Sequence, residues 1–99
     1  MSARVTRHVV IRGRVQAVGY RAFVEDAALD HGLAGWVRNR RNGDVEAVFA
    51  GPFAAVAQVV QACRSGPPAA RVESLDEREA TQEELALGGG ARFAVLPTA

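Results

Sequence analysis

The segment Gly13-Arg14-Val15-Gln16-Ala17-Val18-Gly19-Tyr20-Arg21 puts two glycines, and at its end Arg21, where an alternating stretch gives way to a helical one. This is how an anion-binding turn is built. A helix N-terminus leaves backbone N–H groups unpaired and carries partial positive charge. Gly13 and Gly19 let the backbone bend sharply and approach a ligand closely. The Arg21 guanidinium can grip phosphate oxygens in bidentate fashion. Backbone donors and one Arg are enough to neutralise a dianion without a metal. The competing reading is a plain β–α connection, with the glycines serving only the turn and Arg21 solvated. Two familiar phosphate loops do not fit. The nucleotide P-loop has four residues between its glycines followed by Lys, whereas five separate Gly13 from Gly19 and the chain has no Lys. The dinucleotide pattern G-x-G-x-x-G is absent.

The elements around this turn follow from periodicity. Val5, Arg7, Val9, Ile11 and Gly13 alternate with Thr6, His8, Val10 and Arg12, which predicts a strand. Tyr20, Phe23, Val24, Ala27 and Ala28 recur at helical spacing up to Gly32, a natural stop, and predict a helix from Arg21 to His31. Leu33–Arg38 and Val45–Ala50 read as two strands joined by a hairpin at Asn42-Gly43, where both residues tolerate positive φ. Gly51-Pro52 opens a second helix, with Pro suited to its first turn and a buried face of Phe53, Val56, Ala57, Val60 and Cys63. That helix stops at Ser65-Gly66-Pro67-Pro68. Charged Arg71–Glu79 fits an edge strand. Thr81–Gly90 is a loop or short helical piece, and Arg92–Leu96 a last short strand. The order β-α-β-β-α-β, with two helices on one face of an antiparallel sheet and a short C-terminal extra strand, is the ferredoxin-like α+β sandwich.

Bulk properties narrow the functional classes. A chain of 99 residues predicts a single domain over residues 1–99, which can bury roughly 65% of its unfolded surface. The 12 basic residues, all Arg, nearly balance 11 acidic ones, so no basic stripe for nucleic acid is expected. No run reaches the length of a membrane span, and Met1–His8 has no apolar stretch of signal-peptide length. The one cysteine, Cys63, can form no intramolecular disulfide, which suits a reducing compartment; a cytoplasmic location is expected. His8, His31 and Cys63 lack metal-ligand spacing, so no metal is expected. His8 reads as a partly exposed structural histidine, His31 as a cation favoured by a helix C-terminus, and Cys63 as a small core residue. Trp36 is expected in or beside the core. Arg38, Arg40 and Arg41 form a basic cluster that is either a solvated turn or a device for steering anions.

Two stretches of this sequence resemble one known family. Ile11-Arg12-Gly13-Arg14-Val15-Gln16-Ala17-Val18-Gly19-Tyr20-Arg21 is similar to the first signature of the acylphosphatases. Gly35-Trp36-Val37-Arg38-Asn39-Arg40-Arg41-Asn42-Gly43-Asp44-Val45, continuing to Gly51, is similar to the second. Their order and separation, the length and the Gly66-Pro67-Pro68 break also resemble that family. The resemblance implies hydrolysis of a carboxyl-phosphate to carboxylate and inorganic phosphate. It makes Arg21 the phosphate-binding arginine, Asn39 the asparagine that positions the attacking water, and the backbone amides of Val15, Gln16, Ala17, Val18, Gly19 and Tyr20 the phosphate cradle. From the residues alone, Asn39 is an ordinary strand-end asparagine before a turn. The chain departs from the family at Ala17, usually Gly, and at Tyr20, usually Phe. If position 17 needs positive φ, its methyl group costs about 1–2 kcal/mol.

The chemistry is consistent with so few groups. A carboxylate is a weak base and leaves without a general acid, and phosphoryl transfer depends mainly on positioning and charge stabilisation. No cofactor is implied. The expected partner is a small-molecule acyl phosphate, with no nucleic acid or membrane, and the chain is expected to be a monomer. The alternatives are a non-catalytic anion-binding or nucleic-acid-binding module on the same fold, and an acylphosphatase-like domain that has lost efficiency through Ala17 and binds a partner.

Overall fold

The first strand, β1 (Arg4–Arg14), forms the spine of the molecule and runs directly into the glycine-bounded turn. The structure, a computed structural model, describes residues 3–90 and 92–99; Met1 and Ser2, the start of the N-terminal stretch read above, and Ala91 lie outside the described residues. The other elements are α1 (Tyr20–Asp30), β2 (Ala34–Asn39), β3 (Val45–Pro52), α2 (Phe53–Ser65), β4 (Arg71–Glu79), α3 (Gln82–Ala86) and β5 (Ala94–Val95). The sheet order is β4-β1-β3-β2-β5. The four long strands pair antiparallel, with His8 opposite Val48 and Trp36 opposite Val48 across successive ladders. Short β5 joins β2 in parallel, Trp36 opposite Ala94, so the complete sheet is mixed. The ferredoxin-like sandwich expected from the element order is the architecture observed.

Strand alternation sorts the side chains into two layers. Val9, Ile11, Val37, Val45, Ala47 and Phe49 face the helices and pack with Tyr20, Val24 and Ala28 of α1. The seam of α2 is Val56, Val59, Val60 and Cys63, which keeps the i, i+3, i+4, i+7 spacing but starts at Val56. Two residues of the expected face are therefore corrected. Phe53 is 54% exposed and Ala57 is exposed, while Val59 is buried in their place. Phe53 is the first helical residue, and Pro52 ends β3 opposite Arg4 instead of entering the helix.

The other face of the sheet carries a smaller cluster of Trp36, Val48 and Ala80, with Leu85 and Leu96 packed against it. Thr81–Gly90 contains the short α3, whose Thr81 and Glu84 form a reciprocal capping box. Trp36 donates its indole N–H to the Glu84 carbonyl at 2.7 Å, satisfying its polar end. His8 belongs to this face and is only 6% exposed, more buried than expected. It meets Glu46 at 2.7 Å, and the other oxygen of Glu46 accepts from Arg38 Nε at 2.8 Å and Arg40 Nη1 at 3.1 Å. Arg38 also lies over the Trp36 ring, 4.8 Å from its centroid. Burial raises the Glu46 carboxyl's affinity for a proton, but His8, Arg38 and Arg40 outweigh it and hold the pKa below the usual range.

Candidate active site

The glycine-bounded turn leaves β1 through a bulge. The β1–β4 register shifts between Arg12 and Gly13, and Gly13 adopts φ 133°. A Cβ there would lie 2.1 Å from the Arg71 carbonyl oxygen, so glycine is required by close approach as well as by torsion. Beyond it, Val15 and Tyr20 are buried in the core and Val18 packs against it. These three side chains anchor the turn, while Ala17 and Gly19 are exposed. Among the described residues, the amides of Gln16, Ala17, Val18 and Gly19 have no backbone partner in the turn. That leaves a run of donors beside the start of α1.

Ala17 has φ 60°, the one positive φ at a non-glycine among the described residues. This is left-handed backbone, where the Cβ of an L-residue costs about 1–2 kcal/mol. The strain sits inside the turn expected to form the cradle. Tyr20 begins α1 and donates its hydroxyl to the Cys63 carbonyl at 2.6 Å, which pins the helix start to the end of α2. Burial raises the phenol's pKa well above its ordinary value, with the adjoining Cys63 adding to the shift. Burial likewise pushes the Cys63 thiol up to about 12, which fits a packing role and not a nucleophile.

Asn39 comes from the hairpin. It ends β2 opposite Val45, one residue beyond the Arg38–Glu46 pair. Its backbone carbonyl accepts from the Ala99 N–H at 3.0 Å. The turn beyond it closes on itself. The Arg40 N–H donates to the Asp44 carbonyl at 2.8 Å, the Gly43 N–H to the Arg40 carbonyl at 3.1 Å, and the Asp44 N–H to Asn42 Oδ1 at 3.0 Å. Gln16 reaches from the first turn to the second, its Nε2 donating to the Arg40 carbonyl at 2.7 Å and the Asp44 carbonyl at 2.8 Å.

Between the two turns lies a cavity of about 170 Å³ lined by Val15, Ala17, Gly19, Tyr20, Arg21, Ala22 and Asn39. Two residues that are 18 positions apart in the chain, Arg21 and Asn39, thus share one pocket. Arg21 makes no ion pair with another described residue. Asn39 Oδ1 is buried without a hydrogen-bond partner. An acceptor buried without a partner costs about 1–3 kcal/mol, and Asn39 carries that cost at the wall of this cavity. Of the amides expected to form the cradle, Val15, Ala17, Gly19 and Tyr20 belong to residues lining the cavity, and Gln16 and Val18 to the same turn. Sequence reasoning missed Ala22, whose small side chain lines the wall, and the reach of the Gln16 carboxamide. The basic cluster is also corrected: Arg38 and Arg40 are tied to Glu46, leaving Arg41 exposed beside them.

Comparison with known proteins agrees with this architecture. A split sandwich with its cavity between the β1–α1 turn and the β2–β3 hairpin defines the class. The acylphosphatase family model matches residues 7–94. An acylphosphatase of Rhodopseudomonas palustris (strain BisB18) is 55% identical over 95 residues, covering 95% of this chain and 96% of that one. An acylphosphatase of Bradyrhizobium diazoefficiens is 55% identical over 97 residues, covering 97% and 98%. The crystal structure of acylphosphatase from Bacillus subtilis superposes with a TM-score of 0.83 at 36% identity, covering 93% of this chain and 98% of that chain. The chain belongs to the acylphosphatase family.

Proposed function

We propose that this acylphosphatase hydrolyses a small-molecule acyl phosphate with the phosphoryl group held by Arg21 and the amides of Val15 to Tyr20, and with the attacking water held by Asn39. The observation that supports this most strongly is that Arg21, without an ion pair to another described residue, and Asn39, brought from the hairpin, line one cavity with the β1–α1 turn. The Asn39 carboxamide holds the water by a hydrogen bond and leaves a water lone pair for attack on phosphorus. The P–O bond to the acyl oxygen breaks with its electron pair, and the carboxylate departs. The water's proton passes to a phosphoryl oxygen, giving carboxylate and inorganic phosphate. Negative charge on the transferring group meets the guanidinium and backbone donors without reorganisation of solvent.

This reaction needs no general acid and no cofactor. Among the described residues, no group of three or more His, Cys, Asp or Glu side chains is arranged to hold a metal ion. We read the chain as a single domain acting as a monomer in the cytoplasm, with neither nucleic acid nor membrane as partner. In support, Arg7, Arg12, Arg38, Arg40 and Arg78 are engaged by carboxylates and form no open basic stripe. No helix of the described residues is long and apolar enough to cross a membrane.

Phosphate release from benzoyl phosphate tests the reading. Arg21→Ala and Asn39→Ala should each lower kcat/KM by roughly 10²–10³. Wild-type rates in either variant would remove that residue from the mechanism. A pH–rate profile showing an essential enzyme group titrating near neutrality would contradict proton transfer to the phosphoryl oxygen.

A further inference from the structure

We infer that Gln16 is a positioning residue for this reaction: its side-chain carboxamide clamps the hairpin that carries Asn39 against the turn that binds phosphate. The inference rests on the water-holding role proposed for Asn39. The Gln16 Nε2 has two N–H donors, and both find backbone carbonyls at normal hydrogen-bond distance, Arg40 at 2.7 Å and Asp44 at 2.8 Å. Arg40 follows Asn39, and Asp44 precedes Val45, the strand partner of Asn39. The clamp therefore grips both shoulders of the turn immediately beyond Asn39.

The hairpin does not need Gln16 for its own shape. Its turn is closed by Arg40, Gly43 and Asp44 backbone bonds, and its flanks are held by Glu46 through Arg38 and Arg40. The phosphate turn is anchored separately by Val15, Val18 and Tyr20 in the core. Each half has anchors besides Gln16, the hairpin turn also meeting Ala99 through the Arg41 N–H at 2.9 Å and Arg12 of β1 through Asp44 at 3.5 Å. Among the described residues, the two Gln16 bonds are the hydrogen bonds that join residues 15–21 to residues 39–44. What they fix is the separation of the two walls of the cavity, hence the distance from Asn39 to a bound phosphorus atom. In-line attack is sensitive to that distance, and misplacement by about 1 Å can cost on the order of 100-fold in rate. The amides and Arg21 lie on one wall together, so phosphate binding itself does not depend on the clamp.

The test is a double-mutant cycle. Gln16→Met keeps side-chain length and removes the donors; Gln16→Asn keeps the carboxamide and shortens its reach, and serves if Gln16→Met fails to fold. For either variant, kcat for benzoyl phosphate should fall roughly 10- to 100-fold. KM, and competitive inhibition by inorganic phosphate, should stay within about threefold, because the cradle and Arg21 are untouched. In an Asn39→Ala background the same change should alter kcat by less than about threefold, since the group being positioned is gone. A wild-type kcat in the Gln16 variants overturns the inference alone, provided Asn39→Ala is slow. So does a Gln16 effect that persists in full without Asn39, or phosphate inhibition that weakens in step with kcat. Wild-type activity in Asn39→Ala itself would defeat the reading on which the inference rests.

Discussion

The two turns that meet at the cavity are built in opposite ways. The β2–β3 turn, Arg40 to Asp44, is closed by backbone and Asx-type hydrogen bonds, makes further bonds with Gln16 and Ala99, and rests on an ion-paired network on the far side of the sheet. The β1–α1 turn, Val15 to Gly19, is anchored by buried side chains, leaves successive amides without backbone partners and carries left-handed Ala17. One turn uses most of its polar groups for its own rigidity; on the proposed mechanism the other keeps its amides for the phosphoryl group. A hydrolase that relies on positioning needs both: open donors to take the phosphoryl charge, and a stiff support from which to present a water.

Substitutions can break this comparison. Gly13→Ala should be the most damaging, because a Cβ would meet the Arg71 carbonyl at 2.1 Å in addition to the torsional strain. A loss of roughly 3–5 kcal/mol is expected in urea denaturation, and retention of wild-type stability would refute the close approach. Glu46→Gln should remove charge-assisted bonds to His8, Arg38 and Arg40 from a side chain only 13% exposed, costing about 1–3 kcal/mol at pH 7.

That cost has a pH signature. The folded Glu46 pKa is depressed, so its contribution is complete above the unfolded value of about 4.3 and disappears as pH falls through the lower folded value. The stability gap between wild type and Glu46→Gln should therefore narrow as pH drops from 7 toward 3. A gap that widens in acid would reverse the assigned sign.

Gly43→Ala comes next. Its φ of 101° is strained for an L-residue, but nothing lies within 4 Å of the added methyl group, so only about 1–2 kcal/mol should be lost. Ala17→Gly should show the smallest effect, and of opposite sign. Relief of about 1–2 kcal/mol of left-handed strain is offset by about 0.4–1 kcal/mol of extra unfolded-state entropy. A net rise in Tm of a few degrees is expected by calorimetry. A fall would mean that the methyl group makes packing contacts worth more than its strain. Chelation with EDTA should leave phosphate release unchanged.

Much of this site was legible along the chain. Gly13, Gly19 and Arg21 fall within one short segment, and Asn42-Gly43 marks the hairpin by local torsional preference, so both turns could be located from neighbouring residues. The position of Ala17 is marked by the resemblance to the acylphosphatase signature, in which glycine is usual there. What the sequence hid were pairings between distant residues. His8 and Glu46 are 38 positions apart, and Gln16 lies 24 and 28 from its two acceptors. Periodicity assigns a residue to a face, but it does not say which opposite charge the sheet register will bring alongside. For that reason Arg38 and Arg40 read as free cations, although cross-strand pairing places Glu46 among them. The α2 face was misjudged because Phe53 is strongly apolar and marks a helical seam by composition. It sits in the first turn beside Pro52, outside the stretch that packs on the sheet.

The contrast between the two turns is tested most directly by titrating the ¹⁵N-labelled protein with inorganic phosphate and following backbone amide shifts. The largest changes should fall on Gln16 to Arg21, with Arg40, Gly43 and Asp44 moving little, and Arg21→Ala should weaken the binding by at least tenfold. Shifts centred elsewhere in the molecule, or phosphate affinity unaffected by Arg21→Ala, would contradict a cradle built from the β1–α1 turn.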